Sequence, residues 1–238
     1  MEDIINLFRE IKRNIEDYQI FKEKNIVGDF LLKKYYKIFG KYIKGQVTNY
    51  NHIAPYFNRT YFWKNLLKNI IFFNEYFELV EDGIVDVGCG AAPASIAILS
   101  LTHVKGKKES SLYLLDKSTR QLEIAKDLLK IISPQLEVYQ EKKFCIREHK
   151  YDKLVVFSYF FCEQGKDFLE MLYKNRKNFS KGFVVIDYKS NVIKIKDYFD
   201  KNNDNNVECV FLSQIIPENM LNNVYAEEVK VYGCIYRA

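Results

Sequence analysis

This amino-acid sequence predicts an α/β fold: a mostly parallel sheet over residues 81–238, preceded by a helical region over residues 1–80. Three observations carry the reading. From Ile84 onward, short apolar β-forming runs alternate with helical periods, the signature of βαβ units. Before Ile84 the apolar residues recur only at helical spacing. The two parts meet at Ile84-Val85-Asp86-Val87-Gly88-Cys89-Gly90-Ala91-Ala92-Pro93-Ala94-Ser95, where a strand runs through two glycines into a helix. That order builds a ligand cradle at the carboxyl edge of a parallel sheet, with Gly88 and Gly90 letting the backbone turn and approach a ligand.

The elements follow in order. Ile4, Ile5, Phe8, Ile11, Ile15 and Tyr18 mark a first helix, and Phe30 to Phe39 a second. A polar loop over 49–55 leads to a third helix, from about Arg59 through Trp63, Leu66, Leu67, Ile70 and Ile71 to Phe77. Asp82-Gly83 turns the chain into a strand at 84–87, followed by a helix at 93–102. Further strands are expected at 112–115, 136–139, 153–159, 183–188, 207–212 and 227–237, with helices at 118–132, 165–178 and 192–199. Ser118 is placed to cap its helix. The loop between the last two strands has no helical period, which predicts a hairpin.

Composition bounds the function. Apolar residues make up 48% of 238, enough for a sizeable core. Five scattered cysteines, with no Cys-x-x-Cys pair, argue against disulfides and a zinc site, and the three histidines (His52, His103, His149) have no metal-ligand spacing. The Met-Glu-Asp-Ile-Ile start is not that of a signal peptide and no apolar run reaches membrane-spanning length, so a reduced, cytoplasmic protein is expected. Charge is uneven. Residues 30–70 hold eight basic side chains (Lys33, Lys34, Lys37, Lys41, Lys44, Arg59, Lys64, Lys68) and no acidic one, against a net +5 for the whole chain. Tyrosines, Phe57 and Trp63 are interleaved with them. This combination suits a single-stranded nucleic acid, but it is more often the pattern of core aromatics under a solvated lysine face.

A dinucleotide fingerprint would need a third glycine at Pro93, which speaks against a nicotinamide enzyme. The Asp-x-Gly-x-Gly of Asp86, Gly88 and Gly90, with its acid inside the strand, instead resembles motif I of the class I S-adenosylmethionine (SAM) methyltransferases. The family's usual third glycine is replaced here by Ala92, which fits provided the backbone needs no positive φ. The resemblance implies a seven-stranded, mostly parallel Rossmann-like sheet closed by a hairpin that inserts an antiparallel strand. It further implies SAM as cofactor, contacted by Asp86, Gly88, Cys89, Gly90, Ala91, Asp116, Lys117, Ser158 and Tyr159. Asp116, at the end of the second strand, would accept bonds from the ribose hydroxyls. Asp86 would touch the ligand's amino end or order the loop. An adenine contact could fall on Gln140, on Glu141, or on neither.

After the fourth strand, Ser158-Tyr159-Phe160-Phe161-Cys162-Glu163 lacks the Asn/Asp-Pro-Pro-Tyr/Phe of amino-directed enzymes. Cys162 has no preceding proline and reads as an inert thiol rather than a nucleophile. Ser-Tyr-x-x-x-Glu, with the aromatic-basic N-terminal region, resembles the mitochondrial small-subunit assembly methyltransferase-like family, without that family's cysteine cluster. The expected activity is methyl transfer to RNA, with a small molecule or a protein side chain as the alternative acceptor and a non-catalytic scaffold as the alternative role. No catalytic residue is assigned, because in-line displacement at a sulfonium can be driven by positioning and desolvation alone.

Overall fold

The structure, a computed structural model, describes residues 4–15, 59–108, 111–141, 151–161, 167–217 and 226–238. The expected helix over 30–39 and the loop over 49–55 lie outside the described residues. Residues 4–15 are helical (α1). They are followed by α2 (Arg59–Glu75), β1 (Ile84–Val87), α3 (Pro93–Val104), β2 (Leu112–Leu115), α4 (Thr119–Ile132) and β3 (Val138–Glu141). Then come β4 (Leu154–Ser158), α5 (Asp167–Asn175), β5 (Phe183–Ile186), α6 (Lys189–Lys201), β6 (Val207–Ile216) and β7 (Glu227–Tyr236).

The seven strands form one sheet in the order β3-β2-β1-β4-β5-β7-β6. Strands β1 to β5 run parallel, and β7 is antiparallel to both β5 and β6. The last two strands pair from Val207↔Tyr236 to Ile216↔Glu227, which is the expected hairpin with its inserted antiparallel strand. The inner strands β1 and β5 are buried at every residue, as strands covered on both faces must be. Edge strand β6 alternates instead.

Side-chain alternation divides the core in two. Ile84, Leu112, Leu114, Val156, Val184 and Val231 face a layer made by α1, α2, α3 and α4. Val85, Val87, Val155, Phe157 and Val185 face α5 and α6. Helix α2 is buried on nearly every side, with Phe62, Trp63, Leu66, Leu67, Ile70 and Phe72 all in the core. Phe8 of α1 meets Trp63 edge-on at 6.0 Å. Among the described residues, no helix is long and apolar enough to cross a membrane.

Strand β3 begins two residues later than the sequence predicts. Leu136, read as its first residue, is buried in the turn that closes α4, where its amide donates to the Ser133 carbonyl. Helix α6 starts three residues early, at Lys189, after an N-cap (Tyr188) that supplies no side-chain bond.

Gly233 of β7 fixes how closely α2 can approach the sheet, since a Cβ there would lie 2.5 Å from Phe72 Cε2. Gly233→Ala should therefore cost about 1–3 kcal/mol of overpacking, read as a lower urea midpoint. An unchanged midpoint would mean that α2 is not seated on β7 in this way.

Candidate functional site

The chain runs outward from β1 to β2 to β3 and then returns to place β4 on the other side of β1. The carboxyl ends of β1 and β4 therefore border a topological switch point, where open α/β sheets bind their ligands. Five residues, 88–92, carry the chain from β1 into α3, and three of them take positive φ: Gly88 (64°), Gly90 (54°) and Ala92 (58°). The backbone at Ala92 does need the left-handed region, so the alanine there sits in a conformation that favours glycine, at a cost of about 1 kcal/mol. Its neighbours enforce it: the Ala92 amide donates to Cys89 O at 2.7 Å, and Ala92 O accepts from Ile96 N in the first turn of α3.

The end of β2 holds the turn from the side. Leu115 O accepts from the Gly88 amide at 2.7 Å and the Cys89 amide at 3.2 Å. Asp116 Oδ2 accepts from the Gly90 amide at 3.0 Å, and Oδ1 from the Ser118 amide at 2.8 Å. Ser118 in turn caps α4 as the sequence predicts, accepting from the Gln121 amide. Asp116 remains partly exposed beside Gly90, and Lys117 is exposed one residue further on. Cys89 is buried, which pushes its thiol well above the ordinary range. Among the described residues no cluster of His, Cys, Asp and Glu could hold a metal. Cys162, Glu163, His52 and His149 lie outside the described residues.

Asp86 holds the turn from below. It is buried in β1 and accepts from Ser95 twice, from Oγ at 2.7 Å and from the amide at 3.3 Å. Of its two expected roles, ordering the loop is the one its hydrogen bonds perform. Ser95 is part of the same stretch of sequence, but only the fold brings it back over the strand. Gln140 donates to Leu122 O at 2.6 Å, which ties its amide nitrogen to α4, and Glu141 is exposed at the end of β3.

The wall opposite Asp116 comes from the end of β4. The register Val87↔Phe157 sets Ser158 beside Gly88. Tyr159 takes φ 57°, an outlier for a bulky residue, and its amide donates to Ile186 O at 2.7 Å. That bend turns the Phe160 ring onto the glycine: a Cβ on Gly88 would lie 2.6 Å from Phe160 Cε2. On Gly90 a Cβ would meet nothing within 4 Å. The open side of the turn is thus at Gly90, and a Gly88 side chain would collide first with Phe160. Asp187, after β5, holds the bend, with Oδ2 accepting from the Phe161 amide and Oδ1 from Tyr188 N and Asn191 Nδ2. Neither Phe160 nor Asp187 had a local sequence signal as a site residue.

Gly88→Ala should lose about 1–2 kcal/mol to its positive φ and a further 1–3 kcal/mol to the Phe160 clash. Phe160→Ala should restore only the second part, so a double-mutant cycle in urea should show coupling. Additive effects would mean that the ring does not rest on the glycine.

Burial pushes the Asp86 carboxyl up to about 6 from the ordinary 3.8, against the two Ser95 bonds and with a smaller contribution from Asp116. The folded protein then holds a proton between pH 3.8 and about 6 that the unfolded chain releases. The linked stability is complete below 3.8 and falls as pH rises through that window, by about 3 kcal/mol in total. Asp86→Asn should remove this decline. The variant-minus-wild-type stability difference should rise between pH 4 and pH 6.5, and a flat difference would contradict the buried, raised carboxyl.

No family model matches the chain, and no curated protein matches it. Solved structures do resemble it. A precorrin-6y C5,15-methyltransferase from Geobacter metallireducens is 15% identical, covers 65% of this chain and 79% of its own, and superposes with a TM-score of 0.47. A precorrin 8W decarboxylase from Methanobacterium thermoautotrophicum is 14% identical over 69% of this chain and 88% of its own, with a TM-score of 0.49. Magnesium protoporphyrin IX methyltransferase from Synechocystis, solved with SAM bound, is 12% identical over 70% of this chain and 76% of its own, with a TM-score of 0.46. The strand order, the inserted antiparallel β7 and the glycine turn after β1 give this chain the class I SAM methyltransferase fold.

Proposed function

We propose that this protein is a SAM-dependent methyltransferase, with the cofactor on the open side of the turn at Gly90. The observation that carries the reading is the pairing of that open side with a partly exposed carboxylate at the switch point. SAM supplies an electrophilic methyl group on a sulfonium. Gly90 leaves room for it, the turn of Cys89 and Ala91 lines the cradle, and Asp86 keeps the turn in shape. Asp116 carries acceptor lone pairs beyond those used by Gly90 and Ser118, suited to ribose hydroxyls. Lys117 extends that rim, and Ser158 and Tyr159 form the facing wall, with Phe160 closing the space over Gly88.

The N-terminal region would supply the acceptor side through α2, where Asn69 Nδ2 donates to Ser158 Oγ at 3.0 Å. No general base is assigned, and alignment in a water-poor crevice is the catalytic contribution asked of the chain. RNA as acceptor draws on the charge of residues 30–70. In the described part, Phe62 and Trp63 belong to the core and Lys64 is paired with Glu227 at 3.1 Å, so support for RNA comes from the composition of residues 30–58. The arrangement around Lys68, below, favours a small acceptor.

Calorimetric titration tests the cofactor. Wild type should bind SAM or its demethylated product at micromolar concentration. Asp116→Ala, folded by circular dichroism, should bind on the order of tenfold more weakly or worse, since charge-assisted bonds contribute about 1.5–3 kcal/mol each. Absence of binding to wild type would favour the scaffold role, and unchanged binding by the variant would refute the ribose contact.

A further inference from the structure

Two consecutive residues of α2 meet two consecutive residues at the end of β4. Asn69 is bonded to Ser158, and the Lys68 ammonium stands 5.2 Å from the centre of the Tyr159 ring. Lys68 is half-buried, yet among the described residues no carboxylate pairs with it. Glu227 is engaged by Lys64, one turn earlier on α2, and Asp187 accepts from Phe161, Tyr188 and Asn191. Burial, and then Lys64, hold the Lys68 pKa below its usual value, with the more distant charges of Glu227 and Asp187 only opposing that shift.

Asn69 is similarly incomplete. It is fully buried, its Nδ2 donates to Asn65 O and Ser158 Oγ, and its Oδ1 has no partner among the described residues. Ser158 accepts the Asn69 bond, which leaves its own hydroxyl proton to donate elsewhere. A half-buried cation over the Tyr159 ring and a hydroxyl with a proton to donate therefore lie at neighbouring positions beside the glycine turn, next to a buried amide oxygen that has no partner among the described residues. Buried polar groups left in this state mark a place completed by something else.

The geometry points to a binding site for a small-molecule oxyanion, a carboxylate or phosphate of the methyl acceptor, held by Lys68 and the Ser158 hydroxyl against the face of Tyr159. A polymer's phosphates are served by exposed lysines, whereas this cation is recessed between α2 and the sheet edge. The identification of the bound molecule as an acceptor rests on the methyltransferase reading, but the oxyanion site does not.

The test uses the full chain and two probes, 2-hydroxybenzoate and inorganic phosphate, titrated with and without SAM by ligand-observed NMR. Wild type should bind at least one probe at millimolar concentration or better. Lys68→Met, which keeps the aliphatic stem, should weaken it at least about tenfold, as expected for a lost charge-assisted bond. Lys68→Arg should stay within about threefold of wild type, and SAM affinity should be unchanged in both variants. Binding of 2-hydroxybenzoate alone identifies an organic acid, and binding of phosphate a phosphorylated small molecule. Equal binding by wild type and Lys68→Met, no binding to wild type, or Lys68-dependent retention of a single-stranded oligonucleotide alone would overturn the site. If probe binding is lost in Lys68→Met while wild type fails to bind SAM, the site stands and the methyltransferase reading falls.

Discussion

The five-residue turn between β1 and α3 is the constraint on which the rest of the site depends. It must leave a buried strand, present backbone to a ligand and enter a helix, and it does so with positive φ at alternate positions, Gly88, Gly90 and Ala92. Such a path is strained for any residue with a Cβ and persists only where neighbours over-determine it. Here Leu115 and Asp116 hold it from β2, while Asp86 holds the start of α3 through Ser95. Asp116 is therefore both a fastener of the turn and a partly exposed carboxylate beside the open space. The two roles are compatible, because a carboxylate has about four acceptor positions and the protein uses two.

The second wall follows the same logic. The bend at Tyr159 is anchored by Ile186 O, and the backbone beyond it by Asp187. The bend aims Phe160 at Gly88, so the glycine's missing Cβ makes room for a ring of the protein itself. A glycine in such a loop is easily credited to ligand approach alone. In this protein the two glycines divide the work, one admitting a side chain and the other leaving open space.

What the sequence made legible was what depends on local pattern. The strand–glycine–helix order, the Ser118 cap, the closing hairpin and the position of Asp116 all follow from neighbours within a few residues. What it hid depends on pairs far apart in the chain. The Asn69–Ser158 bond spans 89 residues, and the Phe160 contact with Gly88 joins two loops whose proximity is set by the β1–β4 register. Lys68 shows the limit clearly. Counted along the chain it is one of eight bases in a charged segment, yet in space it is half-buried over the Tyr159 ring with no carboxylate paired to it among the described residues, while Lys64 is tied to Glu227. Trp63, read as a possible stacking surface, instead completes the core with Phe8 and Phe62.

The proposed activity stands or falls on whether the open space beside Gly90, at the carboxyl ends of the inner strands, is a SAM site. A crystal structure of the protein grown with S-adenosylhomocysteine tests it most directly. The product should lie on the open side of Gly90, with its ribose hydroxyls within hydrogen-bond distance of Asp116 and Phe160 still resting on Gly88. Density for the product elsewhere, or a ribose that Asp116 does not touch, would contradict it.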